Sequence, residues 1–338
     1  MLFGVLGLVA AGCGFVDPNP AELRTFRGAT MGTTYEVTIV ESPVAPDLGE
    51  HVGRLIDDQL SGIDSAMSTY DPESELSRFN RSLSTEWFPV SGDTLRVFQH
   101  AREISELSGG AFDVTVGALV EAWGFGPSGP VDTVPSDDEI ERLLGSVGYQ
   151  RIELDEALSA IRKTSPAVST DLSAIAKGYA VDRVADLLDR EGVESYLVEI
   201  GGEVRARGRH PDGRPWRVGI ERPGDGLTEV RQVVALTDAA LATSGDYRNY
   251  YQRDGVRFSH TIDPRTGRPV THRLASVSVI DPLCVRADAV ATALEVLGPE
   301  DGYALAVERD WAVLLMIRQA DGSFQEQMSP AFLDSTTG

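Results

Sequence analysis

Two segments of this chain carry side chains suited to handling a phosphate. The first is Asp171-Leu172-Ser173-Ala174-Ile175-Ala176-Lys177-Gly178. Lys177 is one of two lysines, with Lys163; every other basic residue among the 30 Lys and Arg is arginine. An ammonium is a compact point charge and a guanidinium a planar fork, so a lysine kept against that background suits a site that needs the former. A helix starting here would aim free backbone N–H groups and Lys177 at an anion. Asp171 and Ser173 each fit an N-cap, and Asp171 equally fits an acceptor for a ligand's polar edge. The second segment is Ala287-Asp288-Ala289-Val290-Ala291-Thr292. Asp288 and Thr292 are four apart and share one helical face. A carboxylate and a hydroxyl with carbonyls nearby suit a hard cation such as magnesium. The structural alternative is that Asp288 complements the helix dipole and Thr292 packs.

Other groups are less committed. His260, one of five histidines, lies in Ser259-His260-Thr261-Ile262-Asp263-Pro264 and fits either acid–base work or a structural place. Ile200-Gly201-Gly202-Glu203 reads as a tight hairpin turn or as a close backbone approach to a ligand. Ser244-Gly245-Asp246-Tyr247 reads as a turn or a donor loop, and Met31-Gly32-Thr33 precedes a strand. There is no HExxH, CxxC, Walker or GxSxG pattern. The net charge of −22 excludes a general nucleic-acid binder. It also means that a bound phosphate needs a cation or ordered N–H groups to reverse the local field.

The elements that must position these groups are legible from periodicity. Of 338 residues, 42% are hydrophobic and 24% charged, a composition with ample core. Apolar spacing predicts helices over 48–67, 95–107, 137–144, 174–190, 287–297 and 299–308. Alternation predicts a strand over 34–40 and a hairpin from 151–154 and 159–163. Short strands then run from 195 to 279, and 312–318 and 324–327 close the sheet. Residues 124–136 read as a Gly/Pro-rich loop. Helices and antiparallel hairpins mix without a βαβ rhythm, so the class is α+β in one compact unit.

At the N-terminus, residues 2–11 form an apolar run of signal-peptide length, ending in Ala10-Ala11-Gly12-Cys13. This resembles a bacterial lipobox with Cys13 lipidated, and a secretory peptide cleaved nearby is the alternative. The expected layout is a signal peptide over 1–13, a tether over 14–24, one domain over 25–330 and a tail over 331–338. Cys284, the other cysteine, reads as a small buried hydrophobe.

Several motifs occur in a fixed order. They are Thr30-Met31-Gly32-Thr33, Met67-Ser68-Thr69-Tyr70, Ala111-Phe112-Asp113-Val114-Thr115 and Trp123-Gly124-Phe125-Gly126-Pro127, followed by the Lys177, Gly201, Ser244, His260 and Asp288 segments. The ordered set resembles the ApbE-type flavin transferases, the FAD:protein FMN transferase family. The resemblance implies a T-fold-like α+β architecture and a magnesium-dependent enzyme using FAD as substrate. Such an enzyme moves FMN onto a threonine hydroxyl of an exported or membrane-bound acceptor flavoprotein and releases AMP. It implies metal ligation by Asp288, Thr292 and the carbonyls of Ala174 and Ala291. It also implies FAD contacts at Met31, Tyr70, Ala111, Phe112, Asp113, Asp171, Lys177 and Ile262. Lys177 is expected to neutralise phosphate charge, His260 to do acid–base or positioning work, and Asp246 to be a weaker candidate for the same. The chain is then expected to be exported and lipid-anchored, facing the periplasm or cell exterior. An FAD pyrophosphatase and a non-catalytic flavin-binding lipoprotein are the alternatives.

Overall fold

The computed structural model describes residues 22–41, 48–131, 133–224, 229–246, 250–253 and 255–336. Cys13, the expected signal peptide and Tyr247 lie outside the described residues.

The described chain opens with an antiparallel hairpin of β1 (Glu22–Thr30) and β2 (Thr33–Glu41). Its turn is Met31-Gly32, both at positive φ (49° and 71°). That is the two-residue geometry that matches strand twist, and it holds Met31 where few side chains sit. Residues 22–24 were expected in a tether. They pair with β2 instead, and Arg24 meets Glu41 at 2.9 Å. Next, α1 (Leu48–Met67) buries Val52, Ile56, Leu60, Ile63 and Met67, the face its spacing predicts. A short helix absent from the sequence reading, α2 (Glu75–Arg81), is capped by Ser74, which accepts from the Ser77 N–H. After β3 (Phe88–Pro89), α3 (Gly92–Leu107) starts a turn earlier than expected because the Ser91 hydroxyl accepts from the Thr94 N–H. It is followed by α4 (Gly117–Ala122), α5 (Asp137–Leu144) and the hairpin β4 (Ile152–Asp155) and β5 (Ala160–Lys163).

The second half supplies the main scaffold. It contains α6 (Ala176–Arg190), β6 (Tyr196–Ile200), β7 (Glu203–Arg207), β8 (Trp216–Glu221), β9 (Val230–Leu236) and β10 (Ala239–Gly245). Then come β11 (Tyr250–Arg253), β12 (Val256–Ser259), β13 (Ile262–Asp263), β14 (Arg268–Pro269) and β15 (Leu274–Asp281). The chain ends with α7 (Cys284–Glu308), β16 (Ala312–Arg318), β17 (Phe324–Met328) and α8 (Pro330–Thr336). Residues 331–338 were expected as a tail. Residues 330–336 form α8 because fully buried Phe332 anchors it and Ser329 caps it, accepting from the Phe332 N–H at 3.2 Å.

Eight strands form one sheet in the order β1-β2-β6-β7-β10-β15-β16-β17. Every neighbouring pair is antiparallel, which confirms the α+β class. Strand alternation divides its residues between two cores. Val37, Val198, Ala240, Ala242 and Val277 join the core under α1, α6 and α7. Val204, Ala206, Leu241, Leu314 and Met316 face the opposite core, closed by Trp216, Ile220, Val234 and Phe332. A third cluster of Leu119, Trp123, Ile140 and Ile262 joins α4, α5 and β13. There the Trp123 indole N–H donates to the Gly267 carbonyl at 2.8 Å.

Two further helix starts depart from the sequence reading. α6 begins at Ala176 rather than 174, because Ile175 has non-helical φ and ψ (−149°, −23°). α7 begins at Cys284 rather than 287, and its two expected halves are joined through a kink at Gly298, at φ 81° just before Pro299. Lys163, the second lysine, is buried and structural: its ammonium donates to the carbonyls of Asn80 (3.0 Å) and Val168 (3.3 Å).

Candidate active site

A cavity of about 360 Å³ lies where the first turn of α6 and the second and later turns of α7 meet the ends of β7 and β10. It gathers Lys177, Asp171, Ala174, Asp288 and Thr292 against Tyr70, Ala111, Phe112, Asp113, His260 and Ile262. The sequence reading treated these residues as separate motifs between positions 70 and 292, and the fold makes them one wall.

The chemistry is concentrated at Lys177. Its ammonium donates to Glu203 Oε1 at 2.9 Å and lies 3.9 Å from Asp288 Oδ2. The Lys177 side chain is 28% exposed, those of Glu203 and Asp288 only 5% and 4%. Alternation in β7 explains Glu203: with Val204 and Ala206 turned to the opposite core, Glu203 and Arg205 must face α6. Burial acts to lower the Lys177 pKa, but Asp288 and Glu203 outweigh it and the pKa is raised, so the lysine stays charged. Burial pushes both carboxylates up, against the pull of Lys177. With both carboxylates ionised, two negative charges share one ammonium and one is left unmatched. Lys177, expected to neutralise phosphate charge, lies on the cavity wall with its ammonium engaged by Glu203 and Asp288.

The arrangement fits a hard divalent cation. A helix running on from Ala174 would spend the Gly178 N–H on the Ala174 carbonyl; here that N–H donates to Asp288 Oδ2 at 2.9 Å. The delayed start of α6 thus leaves the Ala174 carbonyl out of the helical ladder, on the cavity wall. Thr292 contributes a hydroxyl, 3.0 Å from the Ser244 hydroxyl on β10. Glu203 Oε2 is buried without a hydrogen-bond partner in the same wall. The donors are all oxygen, as magnesium requires, and a cation here would cancel the unmatched charge. Among the described residues no group of three or more His, Cys, Asp or Glu is placed to hold a metal, so such a site depends on carbonyls and a hydroxyl beside Asp288.

The rest of the cavity is apolar and aromatic. Val116, Val120, Phe125 and Pro264 line it with Phe112 and Ile262, and Tyr70 stands at the rim, 70% exposed. The His260 ring meets Phe125 edge-on, centroids 6.4 Å apart. Asp171 is held by an Asx turn in which Oδ1 accepts from the Ser173 N–H (2.7 Å) and the Ser173 hydroxyl. The Asn80 side chain fixes the preceding residue, donating to the Thr170 carbonyl (2.7 Å) and accepting from its N–H (2.8 Å).

Residues 31–315 match the family model for the ApbE family. The chain belongs to the ApbE family. It is 44% identical over 325 residues to the FAD:protein FMN transferase of Vibrio cholerae serotype O1, covering 96% of this chain and 95% of that one. Among solved structures, the flavin transferase ApbE from Vibrio cholerae superposes with a TM-score of 0.85 at 44% identity, over 93% of this chain and 99% of the other. The apo flavinyl transferase ApbE of Pseudomonas stutzeri superposes with a TM-score of 0.87 at 40% identity, over 95% and 99%.

Three expected site residues of this ApbE-family chain do not line the cavity. Met31 sits in the β1–β2 turn and packs on the core. Ala291 is fully buried within α7. Asp246 accepts from Arg318 at both carboxylate oxygens (3.0 and 3.1 Å), and its carbonyl accepts from Arg257 at 2.5 Å. With each oxygen accepting from the Arg318 guanidinium, Asp246 braces the end of β10, outside the cavity lining. Asp113 does line the wall, but its Oδ1 accepts from the Thr115 N–H and hydroxyl, so it shapes its own loop. Sequence reading missed Glu203, Ser244 and Asp182. A signal existed for the first: charged residues alternating with Val204 and Ala206 directly after a glycine pair mark a strand that buries charge toward a partner.

Proposed function

We propose that this chain is an FAD:protein FMN transferase that joins the FMN half of FAD to a threonine hydroxyl of an acceptor flavoprotein. The observation that carries this reading is a single cavity in which a buried Lys–Glu–Asp group adjoins an apolar, aromatic chamber. One end suits a metal-bound diphosphate and the other a flavin or adenine ring. Ala174, Asp288 and Thr292 are the residues on the cavity wall that would hold magnesium. Bound there, the ion supplies neutralisation of the diphosphate charge.

The chain's own groups do the rest. Lys177 holds Glu203 and Asp288 in register beside the phosphate end. The Ser244 and Thr292 hydroxyls share a hydrogen bond of 3.0 Å that either can donate; with Thr292 donating, its lone pairs would be left for the cation. Tyr70 at the rim and Phe112 and Ile262 inside present faces for the rings. The acceptor hydroxyl attacks the FMN phosphorus in line with the bridging oxygen. The new O–P bond forms, the bond to the AMP phosphate breaks, and AMP leaves with the bridging oxygen. The hydroxyl proton passes to His260, the imidazole on the cavity wall.

Incubation with FAD, Mg²⁺ and a flavoprotein bearing an acceptor threonine should leave flavin fluorescence on the denatured acceptor band. Consumption of FAD with every acceptor dark would make the protein an FAD pyrophosphatase. Stable stoichiometric FAD with no AMP would make it a binding protein. Asp288→Ala should abolish transfer and metal dependence. The same proposal places the enzyme outside the cytoplasm on a lipid anchor at Cys13, checked by mass spectrometry of the N-terminal peptide for an acyl group. Among the described residues no helix is long and apolar enough to cross a membrane.

A further inference from the structure

The helix that carries Asp288, Ala291 and Thr292 has no cap of its own. Leu283 occupies the N-cap position of α7 without a side-chain hydrogen bond. The first N–H groups of a helix need acceptors when they are buried, and here the acceptor comes from another element. Asp182, in the second turn of α6, accepts from the Cys284 N–H at Oδ1 (3.0 Å) and from the Val285 N–H at Oδ2 (2.9 Å). Arg205 on β7 donates to the same Oδ1 at 2.7 Å. Asp182 is 6% exposed, with both oxygens in use.

The same two helices are joined a second time, in the opposite sense. Asp182 sends an α6 side chain to the α7 backbone; Asp288 sends an α7 side chain to the α6 backbone, at the Gly178 N–H. One such link leaves a pivot between two rods. Two links with opposite donors fix both their separation and their slide. The fit is tight: a Cβ on Gly178 would lie 2.5 Å from the Cys284 carbonyl oxygen and 2.8 Å from Asp288 Cβ. β7 enters both links, through Arg205 to Asp182 and through Glu203 to Lys177.

We propose that Asp182 is the positioning residue of the metal site. By capping α7 from α6 it sets the register of the two helices, and so the place of Asp288 and Thr292 relative to the Ala174 carbonyl. This rests on the metal reading given under Proposed function. A residue that only capped a helix would add stability and nothing else, and the two roles separate in a rescue experiment. Leu283 has extended backbone (φ −116°, ψ 129°), suitable for an N-cap serine. Asp182→Ala/Leu283→Ser gives α7 a cap of its own without the link to α6.

The double variant should regain most of the melting temperature lost in Asp182→Ala. Its Mg²⁺ affinity by calorimetry should stay about 10- to 100-fold weaker than wild type, the usual effect of losing a residue that orients metal ligands. In metal-free protein, the peptide holding Gly178 should exchange its amides faster than in wild type. Wild-type Mg²⁺ affinity and wild-type Gly178 protection in the double variant would overturn the inference. If Asp182→Ala does not fold, Asp182→Asn serves: it turns one of the two acceptor oxygens into an NH2 facing an N–H, so Mg²⁺ affinity and Gly178 protection should both fall, and wild-type values of both would also overturn the inference. If wild-type protein binds no Mg²⁺, the metal reading fails, while Gly178 exchange still decides the register claim.

Discussion

Glu295 is fully buried in α7, and neither of its carboxylate oxygens has a hydrogen-bond partner. Burial pushes its pKa well above the usual carboxylate range. Asp246 adds to that, while Arg318, the nearby cation, opposes it but is committed to Asp246. The folded chain therefore holds Glu295 protonated over a pH range in which the unfolded chain ionises it. The unfolded state binds fewer protons, so this residue's contribution to stability falls as pH rises above the unfolded pKa, until the folded pKa is reached. Between the two pKa values the slope approaches about 1.4 kcal/mol per pH unit. Glu295→Gln has no proton to take up. Its unfolding free energy relative to wild type should rise with pH, at up to that slope, measured by urea denaturation followed through tryptophan fluorescence at pH 5, 6 and 7. A wild-type–variant difference independent of pH would refute the reasoning, because it would mean the folded state carries Glu295 ionised. Glu295→Met, of similar length and without the orphaned oxygens, should exceed wild-type stability at pH 7.

Other substitutions test the cavity. Lys177→Arg keeps the charge but must fit a planar fork where Lys177 Cδ lies 3.2 Å from the Cβ position of Gly201; transfer measured as kcat/KM should fall by about 10²-fold. Gly178→Ala should wedge α6 from α7, costing about 1–3 kcal/mol in urea unfolding and weakening Mg²⁺ binding by calorimetry. Tyr70→Ala, at a residue 70% exposed, should leave unfolding free energy within about 0.5 kcal/mol of wild type while raising KM for FAD.

Local pattern was legible wherever an element closes its own account. α1 and α5 have the bounds that apolar spacing predicts, because each completes its turns on one buried face and α5 carries its own Ser136 cap. The starts of α6 and α7 were not legible. α7 is capped by Asp182, 102 residues earlier, and α6 is cut short as Gly178 turns its N–H to Asp288, 110 residues later. α2, α4 and α8 are too short to show a period. Asp246 drew attention as part of a motif, yet its partner Arg318 stands 72 residues away and takes both oxygens.

The sequence by itself determined the α+β class, the surplus of acidic charge, the ordered family motifs and the types of nearly every residue on the cavity wall. Only the tertiary structure decided which of them act on one another. It set Lys177 between Glu203, 26 residues on, and Asp288 on another helix, and it made Glu203 part of the site at all. The physical reason is that periodicity reports which face of an element is buried, whereas the pairing of buried charges depends on what that face meets, and no local spacing encodes contacts between separate elements.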